Sequence, residues 1–417
     1  MIELFFKNKN KFTKLKKKIK SVFNYDDGSS FNMLEVTVVI VISILFGIIV
    51  GCILTYSKGY AEKVDDKYIK ELVNTYDTLL ENYYDSITEK DLMNAAIDGM
   101  VSSLDDAHSY YMDPTETIDF NQRVDGSYIG IGATISFSED SNSIIEIFDD
   151  SPAANAGLKV GDKLISIDDK DVSNADISTL SNLLMGESGT KVKVKVLREE
   201  KEKTFTLTRG IVIIPSVSSK VVVENDKKIG FIDIDNFAAN TYHQFKEHLE
   251  KLEDNNIEGL IIDVRDNTGG HLTQVNKILS MFFNKKTVLY QVEKKNSVEK
   301  VYSSGKKLRN YEIVVLVNQG SASASEILAS CFQDNYKKAT IVGSNTFGKG
   351  TIQSAIQLST GASLKYTSQK WLTSGGVWIE GVGIFPDEEV EIKDNFYSVA
   401  GENDLQYDKA IEILSKK

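Results

Sequence analysis

Two segments of this 417-residue chain carry residues whose types and spacing suit attack on a carbonyl group. In Asn318-Gln319-Gly320-Ser321-Ala322-Ser323-Ala324-Ser325-Glu326 an apolar run ends, three serines follow, and helical spacing begins. In Asp263-Val264-Arg265-Asp266-Asn267-Thr268-Gly269-Gly270 a second apolar run ends in a double glycine. A helix N-terminus presents unpaired N–H groups and the positive end of the helix dipole, both favourable to a developing oxyanion. The double glycine lets backbone N–H groups approach a reacting carbonyl closely. A hydroxyl nucleophile held beside such donors is the arrangement of acyl transfer. Residue types alone do not choose among Ser321, Ser323 and Ser325.

A serine needs a base. The histidines are His108, His243, His248 and His271. His243 and His248 lie on a predicted helix beside Glu247 without the spacing of a zinc site, and they read as a solvated face. His271 follows the double glycine and is a lesser candidate. Lys349 is the alternative, in Thr346-Phe347-Gly348-Lys349-Gly350-Thr351-Ile352-Gln353. If that segment is extended, Lys349, Thr351 and Gln353 share one face. Burial favours the neutral amine that a base requires, and Gln353 is placed to orient it. Taken alone, Lys349 reads more readily as an exposed lysine in a glycine turn than as a base.

Both segments fall in a region of strand–helix alternation. Ile229–Ile234 reads as a strand and Thr241–Leu252 as an amphipathic helix. Gly259–Val264 and Ile313–Val317 are continuous apolar runs, as expected of parallel strands covered on both faces. Catalytic groups in such sheets lie beyond the carboxyl ends of the strands, where the two segments begin. Upstream, residues 123–210 alternate with a period of two and read as a compact β-rich module with short helices after Ser151-Pro152 and over Ile177–Leu184. Residues 58–122 are helical in spacing, with Tyr68, Leu72, Tyr76 and Leu79 recurring on one face.

The N-terminus is of another kind. Eight lysines between Lys7 and Lys20 precede an uncharged run from Val36 to Ser57. That run suffices to cross about 30 Å of hydrocarbon, and the lysines keep the N-terminus in the cytoplasm. We expect a basic tail over 1–33, a retained anchor over 34–57 and everything later outside the cell membrane. The anchor region to residue 54 carries a net charge of +4 and leaves −16 for the remainder of a chain of net −12, which argues against nucleic acid as a partner. The two cysteines, Cys52 and Cys331, lie in an apolar run and a predicted helix, so no disulfide framework is expected.

Several separated blocks together resemble the carboxyl-terminal processing peptidases, the S41 family. They are Gly320–Ile327, Thr346–Gly350 with Gln353, Ile229–Ile234, Asp263–Gly270 and Gly381-Val382-Gly383-Ile384-Phe385-Pro386-Asp387. Leu104-Asp105-Asp106-Ala107-His108-Ser109-Tyr110 is similar to the family's signature before its PDZ domain. Tyr128-Ile129-Gly130-Ile131-Gly132 resembles a PDZ carboxylate-binding loop, and Ser151–Ala154, Gly157-Leu158 and Gly161-Asp162 fit the rest of that domain. The resemblance runs from about residue 62 to the end. It departs at Thr268, Asp106-Ala107 and Thr373–Gly376, where proline is usual in the family.

The resemblance implies a multidomain α/β protein with a crotonase/ClpP-like peptidase core over 211–417, an inserted PDZ domain and a small N-terminal helical domain, to which the uncharged run adds one transmembrane helix. It places the nucleophile on Ser323, the base on Lys349, its support on Gln353 and the oxyanion donors on the N–H groups of Gly270 and Ala324. Tyr128, Ile129, Gly130, Ile131 and Gly132 would hold the carboxylate of a protein or peptide with an apolar C-terminal tail. It calls for no metal and no cofactor, and a homodimer is a frequent arrangement in the family. Two competitors stand beside this reading. A PDZ-bearing scaffold would bind tails without cutting them. A pilin-like subunit, suggested by Phe31–Glu35, would lose residues 1–30 to processing.

Overall fold

Apolar runs too short to be helices and too continuous to be half-exposed strands must be covered on both sides, and this requirement organises the larger part of the molecule. A computed structural model describes residues 37–43, 46–47, 66–136, 142–295, 297–306, 309–391 and 404–416. The expected anchor at 34–57 lies largely, and the basic tail at 1–33 wholly, outside these residues. Among the described residues no helix is long and apolar enough to cross a membrane, so the expected transmembrane helix has no support in the fold.

The chain divides at Ala95/Ala96 into two compact units. The first holds α1 (Asp66–Asn82) and the start of α2 (Glu89–Ser102). In the second, a short strand β1 (Tyr110–Met112) precedes α3 (Pro114–Asp125). The helical reading of 58–122 missed β1. Three residues are too few to show a period, and this strand is defined by its antiparallel partner, Tyr110 lying opposite Lys365. Asp113 and Glu116 then cap α3 reciprocally, with Pro114 in its first turn.

The β-rich module comes next: β2 (Ser127–Gly130), β3 (Ala133–Ser136), β4 (Ser143–Ile147), α4 (Pro152–Ala156), β5 (Lys163–Ile167), β6 (Lys170–Asp171), α5 (Ile177–Leu184), β7 (Lys191–Arg198), β8 (Lys201–Thr208) and β9 (Gly210–Ile213). Ser151 caps α4, and Gly157 ends it in the left-handed region at φ 83°. Strict alternation in β7 sends Val192, Val194 and Val196 into a core with Ile144, Leu164, Ile167 and Leu180. The antiparallel ribbon of β2 and β9 closes the module where the chain enters and leaves it.

The remaining elements are β10 (Val217–Glu224), β11 (Lys227–Ile234), α6 (Thr241–Asp254), β12 (Gly259–Asp263), α7 (Leu272–Leu279), β13 (Val288–Lys294), β14 (Ser297–Tyr302), β15 (Glu312–Val317), α8 (Ala324–Asn335), β16 (Ala339–Gly343), β17 (Thr351–Gln357), β18 (Ser363–Leu372), β19 (Glu388–Glu389) and α9 (Leu405–Ser415). One sheet runs β10-β11-β12-β15-β16-β19 and is parallel from β11 onward. Helices α6, α7 and α8 bury one face through Phe245, Leu249, Val275, Ile278, Leu328 and Phe332. Ala410 and Leu414 of α9 cover the other, over Phe231, Ile261 and Val314. Leu260 in β12 is wholly buried, and truncating such a residue to alanine costs about 3 kcal/mol. Arg265 fixes α9 to this sheet, reaching Asp263 at 2.6 Å and the helix-capping Asp404 at 2.8 Å. A second sheet runs β1-β18-β13-β14, with β17 also paired to β18.

Candidate active site

The carboxyl ends of β12 and β15 are adjacent, since the two strands pair in parallel with Asp263 opposite Leu316. Their turns are joined by hydrogen bonds the sequence supplies locally. Ser321 Oγ donates to the Val264 carbonyl at 2.7 Å and Ser325 Oγ to the Asn267 carbonyl at 2.8 Å. The Asn318 side chain accepts from the N–H groups of Asp266 and Gly320, each at 2.9 Å. Ser321 and Ser325 are thereby buried structural hydroxyls, and Ser323 alone of the three is partly exposed. Ser323 sits at the N-cap of α8 with φ 56° and ψ −111°. A positive φ costs a side-chain-bearing residue on the order of 1–3 kcal/mol. Such strain at a strand-to-helix turn is the geometry that lifts a nucleophile out of its backbone.

Gly269 and Gly270 face this turn. A Cβ on Gly269 would lie 2.8 Å from Ser323 Cβ and 3.1 Å from the Ala324 nitrogen, and φ of 102° at Gly269 also excludes a side chain. Among the described residues neither Gly270 N–H nor Ala324 N–H has a hydrogen-bond partner. The two expected oxyanion donors thus belong to adjoining turns and are unspent.

Glu326 joins this turn to the lysine loop. One of its oxygens accepts from Ser323 N–H at 2.7 Å and from Lys349 N–H at 2.9 Å. The other accepts from Thr346 Oγ1 at 2.6 Å and Gly348 N–H at 2.7 Å. Burial pushes the Glu326 carboxyl above its ordinary range, and these four donors oppose that rise. Reading the residues in order gave Glu326 no role. Its place three residues after an N-cap serine carried a capping-box signal, but its bonds to residues 346–349 depend on the fold.

The Lys349 amine is partly buried, and its pKa is lowered first by that burial and then by the charge of Lys365, against Glu380, Glu326 and Asp106. His108 lies in the same neighbourhood; burial, then the Lys349 charge, hold its imidazole below the ordinary range. No hydrogen bond joins Lys349 Nζ to Ser323 Oγ or to Gln353 in this structure. Gln353 Nε2 instead donates to Thr351 Oγ1 at 3.0 Å; β17 begins only at Thr351 and its register shifts between Ile352 and Gln353, so Lys349 lies outside the extended run that the sequence reading assumed. His271 starts the turn before α7, its Nε2 buried without a partner among the described residues and not bonded to Ser323. His248 is taken up by packing, with Nδ1 2.7 Å from Ser219 Oγ on β10.

The second expected site is a groove of about 480 Å³ between β3 and α5, lined by Ile131, Ala133, Ile135, Leu180 and Leu184 together with Tyr128 and with Gln122 and Arg123 of α3. Ile129 is not among its lining residues; it and Gly130 pair with Ile211 and Gly210 of β9. The Tyr128 ring packs over Gly130, where a Cβ would come within 2.6 Å of it. Of the five residues named for this loop, Tyr128 and Ile131 face the groove.

Comparison with known proteins matches the same blocks. Residues 228–390 match the peptidase family S41 model, residues 129–208 a PDZ domain model, and residues 54–117 the activating protease CtpB N-terminal domain model. A probable CtpA-like serine protease of Staphylococcus haemolyticus is 33% identical over 89% of this chain and 78% of its own length. The carboxy-terminal processing protease CtpB of Bacillus subtilis is 34% identical over 81% of this chain and 70% of its own. The solved photosystem II D1 C-terminal processing protease is 26% identical, covering 76% of this chain and 85% of that one with a TM-score of 0.44.

Proposed function

Since this chain belongs to the carboxyl-terminal processing serine peptidases of family S41, we propose that Ser323 is its nucleophile, Lys349 the general base and Gln353 the group that orients the lysine. The observation that carries the assignment is the shared carboxylate of Glu326, one oxygen of which accepts the backbone N–H of both Ser323 and Lys349. Neutral Lys349 removes the Ser323 hydroxyl proton as the oxygen attacks a peptide carbonyl. The oxyanion is received by the N–H groups of Gly270 and Ala324, which no other group among the described residues occupies. The lysine then protonates the departing amine, and water, deprotonated by the same lysine, releases the acyl group. Hydrogen bonds between catalytic groups commonly tighten only when substrate is bound, and rotation of the long Lys349 side chain is the movement this mechanism requires.

The substrates are proteins with flexible apolar C-terminal tails. Support for this comes from the groove, whose lining of Ile131, Ala133, Ile135, Leu180 and Leu184 accepts apolar side chains beside a backbone N–H able to bind a carboxylate. The eight lysines ahead of the uncharged run from residue 36 favour an anchored protein with its peptidase outside the membrane. The decisive experiment incubates wild-type, Ser323→Ala and Lys349→Ala proteins with a tailed substrate and reads the products by mass spectrometry. Each substitution lowers cleavage by about 10⁴-fold while leaving the melting transition in place; cleavage at the wild-type rate by either purified variant overturns the assignment.

A further inference from the structure

Lys349 lies in a loop between two buried glycines, outside any helix or strand. A lysine on a loop projects in a fixed direction only if the peptide units on both sides of it are held. Here every backbone N–H and C=O of residues 348–350 has a hydrogen-bond partner, as a buried segment without regular structure requires. On the amino side Glu326 accepts the N–H of Gly348 at 2.7 Å and that of Lys349 at 2.9 Å. The Gly348 carbonyl accepts the Gly381 N–H at 2.9 Å. On the carboxyl side the Lys349 carbonyl accepts the indole N–H of Trp371 at 2.7 Å. The Gly350 N–H donates to a carboxylate oxygen of Glu380 at 2.7 Å. The Gly350 carbonyl accepts the indole N–H of Trp378 at 3.2 Å and the backbone N–H of Trp371 at 3.0 Å.

These partners are of two kinds. Trp371 is wholly buried near the end of β18 and belongs to the main core, so packing alone accounts for it. Trp378 and Glu380 belong to the turn that follows β18, and packing does not account for them. Trp378 is 44% exposed, and Glu380 is only partly buried. Lys370 Nζ stands 3.9 Å from the centre of the Trp378 ring, a cation–π contact that steadies an indole the core does not cover. Both side chains direct a polar atom at the same residue. Glycine is required there for that approach, because a Cβ on Gly350 would lie 2.6 Å from Trp378 Nε1. A carboxylate oxygen also binds a backbone N–H more strongly than a neutral acceptor does, so the Glu380 bond is the stronger of the two.

We propose that Glu380 and Trp378 are positioning residues: they grip Gly350 by its N–H and its C=O and so fix the direction in which the backbone projects the Lys349 side chain. The proposal rests on the reading of Lys349 as the base. It is tested in the full-length protein by steady-state cleavage of a tailed peptide with Glu380→Ala, Glu380→Gln, Trp378→Phe and Lys349→Ala, with melting curves for each. Glu380→Ala lowers kcat about tenfold at unchanged KM, and Trp378→Phe, whose lost donor is partly replaced by the Trp371 N–H, lowers it about threefold. Glu380→Gln keeps an oxygen for the Gly350 N–H and recovers most of the loss. Wild-type kcat in Glu380→Ala, a loss that appears in KM alone, or a Glu380→Gln variant as slow as Glu380→Ala overturns the proposal. Should Glu380→Ala melt early, Trp378→Phe carries the test at an exposed position, and wild-type kcat there overturns it. Wild-type cleavage by Lys349→Ala, by contrast, overturns the underlying reading.

Discussion

Two turns in this protein are shaped to receive an anion through backbone N–H groups, and they are held in different ways. At the Ser323 turn the N–H groups of Gly270 and Ala324 have no partner among the described residues. At the loop ending in Gly132 the N–H likewise has no partner among the described residues. Glycine makes both approaches possible, since Gly269 and Gly132 have φ of 102° and 79°. The difference lies in the neighbours. Around Ser323, buried hydroxyls and the Glu326 carboxylate are spent on holding the turn rigid, which leaves its donors free and preorganised. Around Gly132, the ring of Tyr128, four residues earlier, packs over Gly130 and supports the loop through apolar contact.

The contrast is broken most severely at Gly269. Gly269→Ala places a methyl group within 2.8 Å of Ser323 Cβ; cleavage falls by about 10²–10³-fold, while a fluorescent apolar-tailed peptide binds the groove unchanged. Equal loss of both functions would show that the two turns do not act separately. Next comes Glu326→Gln, which removes the charge that four donors share. Chemical denaturation is expected to show a loss of about 2–3 kcal/mol, together with lower kcat. Full stability in that variant would mean that the clamp does not hold the turn.

The acid limb of kcat/KM tests the base. The Lys349 amine is held below the ordinary lysine range by burial and by Lys365, so its neutral fraction, and the rate, climb as pH rises through that lowered value and then level off. Lys365→Met removes the repelling charge, raises the amine's pKa and shifts the limb to higher pH; a shift to lower pH would contradict the assignment. The smallest effect is at the Gly132 loop. Tyr128→Phe keeps the ring that packs over Gly130 and leaves peptide binding within about twofold by fluorescence anisotropy, whereas binding weakened about tenfold would make the hydroxyl a ligand contact.

Much of the arrangement was legible in the order of residues alone. The buried parallel strands β12 and β15 announced themselves as apolar runs, and helix α4 between Ser151 and Gly157 was marked by its own caps. The Ser323 turn, the double glycine and the loop at Lys349 could be picked out because each is built from chemistry confined to a few consecutive residues. The strand β1 could not, because three residues carry no period and their conformation is imposed by β18. For the same reason the part of the site contributed by Glu326 was hidden: its bonds to residues 346–349 reach a loop distant in sequence.

The sequence by itself determined which groups could do the chemistry and which local turns would expose their backbone donors, because caps, glycines and apolar periods act over a few residues. Only the tertiary structure decided that one glutamate joins residues 323 and 349, and that Ser109 Oγ accepts the N–H of Thr367 on the strand opposite Gln353. Those outcomes depend on strand pairing and on how buried polar groups find partners, and a hydrogen bond between distant segments leaves no period in the chain that forms it.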